Sequence, residues 1–267
     1  MNNGSIVVNS VHKAFQILDL FLEKDCPLTL GEISRSLGYP KSTVHALLST
    51  MLAHEMVWQQ EDGKYVFGYR TMEYAFGIKK VWKAAGQSDN FMKQIMEETS
   101  FSVIFFAQAS DYYINSNFMT NRSSSHLLPN YGERLPFFST ATGRLFLSTF
   151  SPVKLETVLK NEGFYEKGSG ILQYNMAEEL DMIRKKGFSL DFNERIEGQF
   201  SVSVLVPYIQ GNTHFAFTTV GKIKELELHG RNMFRNREEL YSCENINKIA
   251  DIVKKYTWQY ALSFSQY

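Results

Sequence analysis

The side chains best placed to do chemistry stand close together in the first quarter of the chain: Lys41, Ser42, Thr43, His45 and Ser49. Short hydroxyls beside a lysine suit contacts to phosphate oxygens and base edges, which need small groups that let another surface approach closely. Enzymatic chemistry has no comparable signature. The chain holds no Gly-x-Ser-x-Gly elbow, no His-Glu-x-x-His pair, no Walker loop and no Rossmann glycine fingerprint. Ser139, His126 and Asp191 can be drawn as a triad, but nothing in their spacing fixes a common geometry. The histidines at 12, 45, 54, 126, 214 and 229 show no ligand spacing with carboxylates or thiols. No catalytic residue, metal site or cofactor is therefore expected.

The hydroxyl cluster needs a scaffold, and residues 28–56 supply one. Thr29 and Glu32 have the spacing of a capping box ahead of Ile33, and Leu30, Ile33 and Leu37 share one helical face. Gly38 can take the left-handed conformation that stops a helix, and Pro40 suits the first turn of the next. That next helix is expected to run to about Met56. Val44, Leu47, Leu48, Met51 and Leu52 form its buried stripe, while Ser42, Ala46, Ser49 and Ala53, flanked by Lys41 and His45, lie opposite. Such a helix-turn-helix suits a DNA major groove; equally, its small residues permit close helix packing. Val11, Ala14, Phe15, Leu18, Phe21 and Leu22 predict an earlier amphipathic helix packed beneath it. Residues 57–60 and 65–68 flank Asp62-Gly63, a hairpin signal. Lys64 near its tip either touches a phosphate or is an ordinary surface lysine.

The segment Pro40-Lys41-Ser42-Thr43-Val44-His45 with Leu47-Leu48, preceded by Leu30, Ile33 and Leu37-Gly38, resembles the winged helix-turn-helix of the IclR family of transcriptional regulators. Two later stretches are similar to that family's effector domain. Residues 132–136 with 139–144 resemble its strand end and the glycine-containing turn that opens a helix onto the ligand. Residues 187–191 through Glu194 to Glu197-Gly198 resemble the loop and strand that close the pocket.

Composition agrees with a two-domain chain. At 267 residues and 44% hydrophobic, the sequence can build two cores. Cys26 and Cys243 make no disulfide framework, the amino-terminal residues lack a signal peptide's basic prefix, and no apolar run reaches the roughly 20 residues of a membrane span. A cytoplasmic protein is expected. Charge is balanced at 28 basic and 28 acidic residues. Within the first 70 positions, bases at 13, 24, 35, 41, 64 and 70 meet acids at 19, 23, 25, 32, 55, 61 and 62. That basic footprint is weak for DNA binding, so contact would lean on dimerisation, helix-end amides and a few placed side chains.

The expected organisation is α+β: a winged helix-turn-helix over 1–68, a linker helix over 69–86 that helps two subunits meet, and an antiparallel-sheet effector domain over 87–267, GAF-like by the resemblance. Lys79, Lys80 and Lys83 read as a solvated face or a phosphate stripe. In the third segment a short helix around Phe91, Ile95 and Met96 precedes antiparallel strands over 103–107 and 112–115, with a third around 126–128. A helix over 175–186 closes at Gly187, a strand follows over 188–190, a hairpin joins 201–209 to 214–220, and a helix over 238–256 ends the pattern, with helices on one side of the sheet.

By the resemblance, a small carboxylate-bearing metabolite sits against the backbone amides near Ala141 and Thr142, where a helix start offers free N–H groups. Leu127 and Leu135 would be apolar walls, and Asp191, Ser201 and Thr218 polar contacts. The chain departs from the family at Ala46, where an arginine is common, at Pro207, which falls two residues late and leaves Ser201 or Ser203 facing the pocket, and at Val220, where a hydroxyl is common. The expected protein is a ligand-responsive, sequence-specific repressor, a homodimer or homotetramer on a palindromic double-stranded operator. The alternative is a sensor or scaffold whose winged helix binds a protein partner.

Overall fold

Reciprocal capping starts the helix-turn-helix. Thr29 N donates to Glu32 Oε2 at 2.8 Å and Glu32 N to Thr29 Oγ1 at 3.2 Å, which holds the Glu32 carboxyl below its ordinary pKa. In the computed structural model, which describes residues 7–81, 83–109, 112–121, 128–130, 132–161, 176–210, 213–226, 234 and 236–263, the chain divides into two units, Met1–Trp82 and Lys83–Tyr267.

The first unit comprises α1 (Asn9–Lys24), α2 (Leu30–Leu37), α3 (Lys41–Ala53), β1 (Val57–Gln59), β2 (Tyr65–Phe67) and α4 (Tyr69–Val81). Gly38 at φ 70° stops α2, a conformation that costs glycine little. Pro40 is the cap ahead of α3 rather than part of its first turn. That helix also ends sooner than Met56, because Glu55 at φ 58° turns the chain into β1. β1 and β2 pair antiparallel, with Val57 opposite Phe67 and Gln59 opposite Tyr65. Ile17, Leu20, Phe21, Leu28, Ile33, Val44, Leu48, Met51, Val57 and Tyr65 form the core. The expected packing face of α1 holds at Phe21, which is buried, and at Ala14 and Leu18, which pack against the core, but Val11, Phe15 and Leu22 are 50%, 60% and 64% exposed and Ile17 and Leu20 are buried in their place. Apolar residues occupy two stripes of this helix, and periodicity could not choose between them.

The second unit comprises α5 (Lys83–Thr99), β3 (Ser102–Ala109), β4 (Tyr112–Met119), β5 (Arg134–Leu135), α6 (Ala141–Leu147), α7 (Pro152–Asn161), α8 (Met176–Lys186), β6 (Ser189–Phe192), β7 (Gln199–Gln210), β8 (Thr213–Lys222), α9 (Arg237–Tyr241) and α10 (Glu244–Leu262). Six antiparallel strands run in the order β5-β4-β3-β8-β7-β6. The strand expected at 126–128 falls on His126 and Leu127, outside the described residues. The closing helix is two helices, α9 and α10, because Cys243 is extended between them.

Helices cover both faces of this sheet, not one. Phe105 and Phe217 meet Tyr260 of α10 at ring separations of 5.5 and 5.1 Å. On the other face Phe106 meets Tyr113, whose ring lies 5.4 Å from Phe146 of α6. Each ring buried this way contributes about 1.5–3 kcal/mol. The alternation of apolar and small polar residues in β7 and β8 therefore separates two buried faces, one aromatic and one lined with hydroxyls.

Candidate nucleic-acid interface and ligand cavity

On α3 the stripe Val44, Leu48 and Met51 is buried with Leu47 and Leu52 half-buried, so Lys41, Ser42, His45, Ala46 and Ser49 point outward and are exposed; Thr43 is half-buried. Ser49 Oγ donates to His45 O at 2.8 Å and Thr50 Oγ1 to Ala46 O at 3.1 Å. The Ser49 proton is thus engaged along the helix, while among the described residues no hydrogen bond engages the side chains of Lys41 or Ser42. Lys64, in the β1–β2 turn, is held in a local pair. Its Nζ sits 2.9 Å from Asp62, and its backbone N–H donates to the same carboxylate at 3.1 Å. The pair pushes the Lys64 pKa up and the Asp62 pKa down.

In the second unit a small cavity lies between β3, β6, β7, β8 and the start of α6. Six of the seven residues anticipated for ligand contact line it: Leu135, Ala141, Thr142, Asp191, Ser201 and Thr218. Leu127 lies outside the described residues. The volume open to the centre of a water molecule is about 20 Å³, room for little more than one water.

Three hydroxyls close its floor. Thr142 Oγ1 is 2.9 Å from Ser203 Oγ and 2.8 Å from Thr218 Oγ1, and the last two are 2.9 Å apart. Pairing places Ser203 opposite Thr218 and Ser201 opposite Val220, so Ser201 borders the cavity and Ser203 completes the hydroxyl ring beneath it. Thr140 caps α6 by accepting from Gly143 N at 2.9 Å. Gly143 is required there, since a Cβ would stand 2.0 Å from Phe137 O.

Behind α6 lies a buried charge cluster with no local sequence signal. Arg144 is fully buried, pairs with Glu194 at 2.9 Å, approaches Glu179 at 3.7 Å and donates to Leu190 O. Arg237 pairs with the same two glutamates and also donates to Leu190 O, while Tyr241 donates to Glu179 at 2.9 Å. Burial and the neighbouring Glu179 push the Tyr241 phenol above its ordinary pKa. Asp191, on β6, is pushed up to about 6, first by burial; Arg144 pulls it down and Glu194 raises it. Its Oδ1 accepts from Glu194 N at 3.2 Å.

Arg195 and Gln199 also line the cavity and were not anticipated. Arg195 belongs to the loop after β6 and gives no spacing signal. Gln199 does give one, because Gln199, Ser201 and Ser203 are alternate polar residues in a buried strand. Among the described residues no group of His, Cys, Asp and Glu side chains could hold a metal ion.

The first unit thus presents an outward-facing helix of a helix-turn-helix, and the second holds a sheet-bound cavity. The IclR helix-turn-helix model matches residues 10–61 and the model of the bacterial transcriptional regulator IclR C-terminal domain matches 81–240. The chain belongs to the IclR family of transcriptional regulators. It is 28% identical over 207 residues to the HTH-type transcriptional regulator XynR of Escherichia coli, covering 75% of this chain and 81% of that protein. It is 24% identical over 198 residues to the Transcriptional repressor IclR of the same organism, covering 72% of each. An IclR-type transcriptional regulator of Alicyclobacillus acidocaldarius has the same fold, with a TM-score of 0.75 at 18% identity over 96% of this chain and 98% of that one.

Proposed function

We propose that this DNA-binding regulator is a sequence-specific repressor switched by a small carboxylate-bearing metabolite in the cavity of its second unit. The observation that carries this reading is the convergence of Leu135, Ala141, Thr142, Asp191, Ser201 and Thr218 on one cavity. Lys41, Ser42, Thr43, His45 and Ser49 would meet the operator, with Lys64 on a flanking phosphate. Repression is favoured by the similarity to the Transcriptional repressor IclR of E. coli.

A palindromic operator would engage a homodimer or homotetramer. Support comes from Val8, Val11, Phe15 and Leu22, exposed at 59%, 50%, 60% and 64% at the 3–4 spacing of a helix seam, which a second copy of the chain would cover. The ligand need only favour one placement of the paired heads; couplings of about 1–3 kcal/mol change affinity roughly 5–150-fold. The protein acts as a regulator rather than a catalyst, and in the cytoplasm. Free Cys26 and Cys243, and the lack of a helix long and apolar enough to cross a membrane among the described residues, are in keeping with that placement.

The first test is a genome-fragment pull-down at moderate salt, followed by titration of the enriched fragment with and without the effector. Unchanged affinity on adding the effector would remove the switch and leave DNA binding intact. A second reading, with the winged helix on a protein partner, is favoured by the charge balance of the first 70 residues, by Ala46 and by the Lys64–Asp62 pair. A steep fall of affinity with added salt speaks for DNA, because released counterions give that slope.

A further inference from the structure

The even charge balance of the first 70 residues hides an uneven distribution. Three of the six bases there are engaged by neighbouring acids: Lys24 by Glu23 at 3.7 Å, Lys64 by Asp62 at 2.9 Å, and Arg70 by Glu73 at 2.8 Å and Glu55 at 3.6 Å. Lys13, Arg35 and Lys41 form no salt bridge among the described residues. The placement of the acids accounts for this: none precedes Asp19 and none lies within 33–54. The start of α1 and the turn into α3 therefore carry bases alone, and their positive potential reaches solvent instead of cancelling locally.

Of these three, Lys13 is held in place by the helix-turn-helix itself. Its Nζ stands 4.9 Å from the centroid of the Tyr39 ring, within the range of a cation–π contact, and that ring is fixed at several atoms. Tyr39 donates its hydroxyl proton to Gln16 of α1 and its N–H to Ser34 O at 3.1 Å, while its carbonyl accepts from Ser34 Oγ at 2.6 Å. Tyr39 precedes Pro40, the cap of α3, and Lys41, its first residue. The turn thus brings a lysine of another helix beside the start of the helix that presents Ser42, His45 and Ser49. A ring contact orients an ammonium without neutralising it, and the group has three N–H donors to offer an anion. Resting on the reading that this face of α3 meets the operator, we propose that Lys13 is a backbone anchor for the DNA. It holds a phosphate beside the base pairs that α3 faces, and Tyr39 is its positioning residue. Such a contact carries no sequence information and sets register and affinity instead.

The test is a salt titration of DNA affinity for the full-length protein, with two duplexes of equal length: the region upstream of its own gene and a scrambled version of that region. Lys13→Gln should weaken both about five- to tenfold at low salt and flatten the dependence of log affinity on log salt concentration by about one ion. Lys13→Arg should restore both quantities. Lys24→Gln is the matched control: it removes the same charge about 16 Å further along α1 and should leave the slope unchanged. Tyr39→Leu should weaken binding in the wild-type background and add little to Lys13→Gln, because both changes remove one contact. An unchanged slope in Lys13→Gln, an equal change in Lys24→Gln, or full additivity with Tyr39→Leu would overturn the inference. Lys41→Gln separates it from the underlying reading. A slope lowered by Lys41→Gln and not by Lys13→Gln sinks the anchor and spares the face assigned to α3, whereas retention of neither duplex at low salt removes the DNA face and the anchor with it.

Discussion

The two units place their polar chemistry in opposite ways. Every buried Ser, Thr, Asn, Gln, Asp, Glu or Arg among the described residues lies in the second unit; the first is built on an apolar core with one tyrosine, Tyr65. Its hydroxyls and lysines are on the outside. In the head, then, the residues proposed to bind are not those that hold the fold, and a substitution can remove one property without the other. In the cavity unit they are neighbours of a buried ion cluster, and binding and stability are coupled by construction.

The sharpest way to break that contrast is at Arg144. Arg144→Met leaves Glu194 and Glu179 with one guanidinium instead of two in a dry site, and should destabilise the second unit by about 3–5 kcal/mol. Urea denaturation followed by tryptophan-independent circular dichroism measures it. Pairing the change with Glu194→Gln should recover part of the loss, since the uncompensated charge goes too. A cost under about 1 kcal/mol for Arg144→Met would mean that the cluster is not structurally coupled as drawn.

Asp191 should respond in the other direction. Its carboxyl has a folded-state pKa of about 6 against an ordinary 3.8, so the folded state holds the proton more tightly than the unfolded chain does. The resulting stabilisation is fully present below about pH 4 and is lost as pH rises through about 6. Asp191→Asn, which keeps an acceptor for Glu194 N–H, should stabilise the protein at about pH 8 by up to about 3 kcal/mol, with the gain shrinking toward zero near pH 4. A gain equal at both pH values would point to packing rather than charge. Gly143→Ala comes next: the added methyl meets the Phe137 carbonyl at 2.0 Å and should cost about 1–3 kcal/mol, with the melting temperature as readout.

The same contrast explains what could be read in advance. Helix-turn-helix signals are local: Thr29 with Glu32, Gly38, and the Val44–Leu48–Met51 stripe each lie within a few residues, so one stretch of chain carries them. The cavity was legible only where 132–144 and 187–198 resemble a known family. Arg144 looked like any helical arginine, because its burial is decided by Glu179, Glu194 and Arg237, which are distant in sequence. Gln199 and Arg195 reach the cavity through the pairing of β6 with β7 and the loop between them, a tertiary fact. For α1 the expectation held at Ala14, Leu18 and Phe21 and failed at Val11, Phe15 and Leu22, since apolar residues cover more of the helix than its core-facing stripe.

In the head, Ser42→Glu should separate binding from folding. Ser42 is exposed in the first turn of α3, where a carboxylate is favourable to the helix dipole, so thermal stability should hold or rise slightly. A carboxylate set against phosphate should nevertheless weaken operator binding about a hundredfold. Retained binding would refute the face assigned to DNA.

The smallest effect belongs to the wing and has the opposite sign. Lys64 is paired with Asp62 at 2.9 Å, so a phosphate would have to compete with that carboxylate for the ammonium. Asp62→Asn weakens the competition and removes an acid that would face the backbone. Operator affinity should therefore rise two- to fivefold at low salt, with the dependence on salt steeper by about one counterion. Lys64→Ala made in the same background should cancel the gain, since the added affinity passes through that one amine. If Asp62→Asn leaves both affinity and salt slope unchanged, the wing does not reach the backbone, and α3 carries the contact without it.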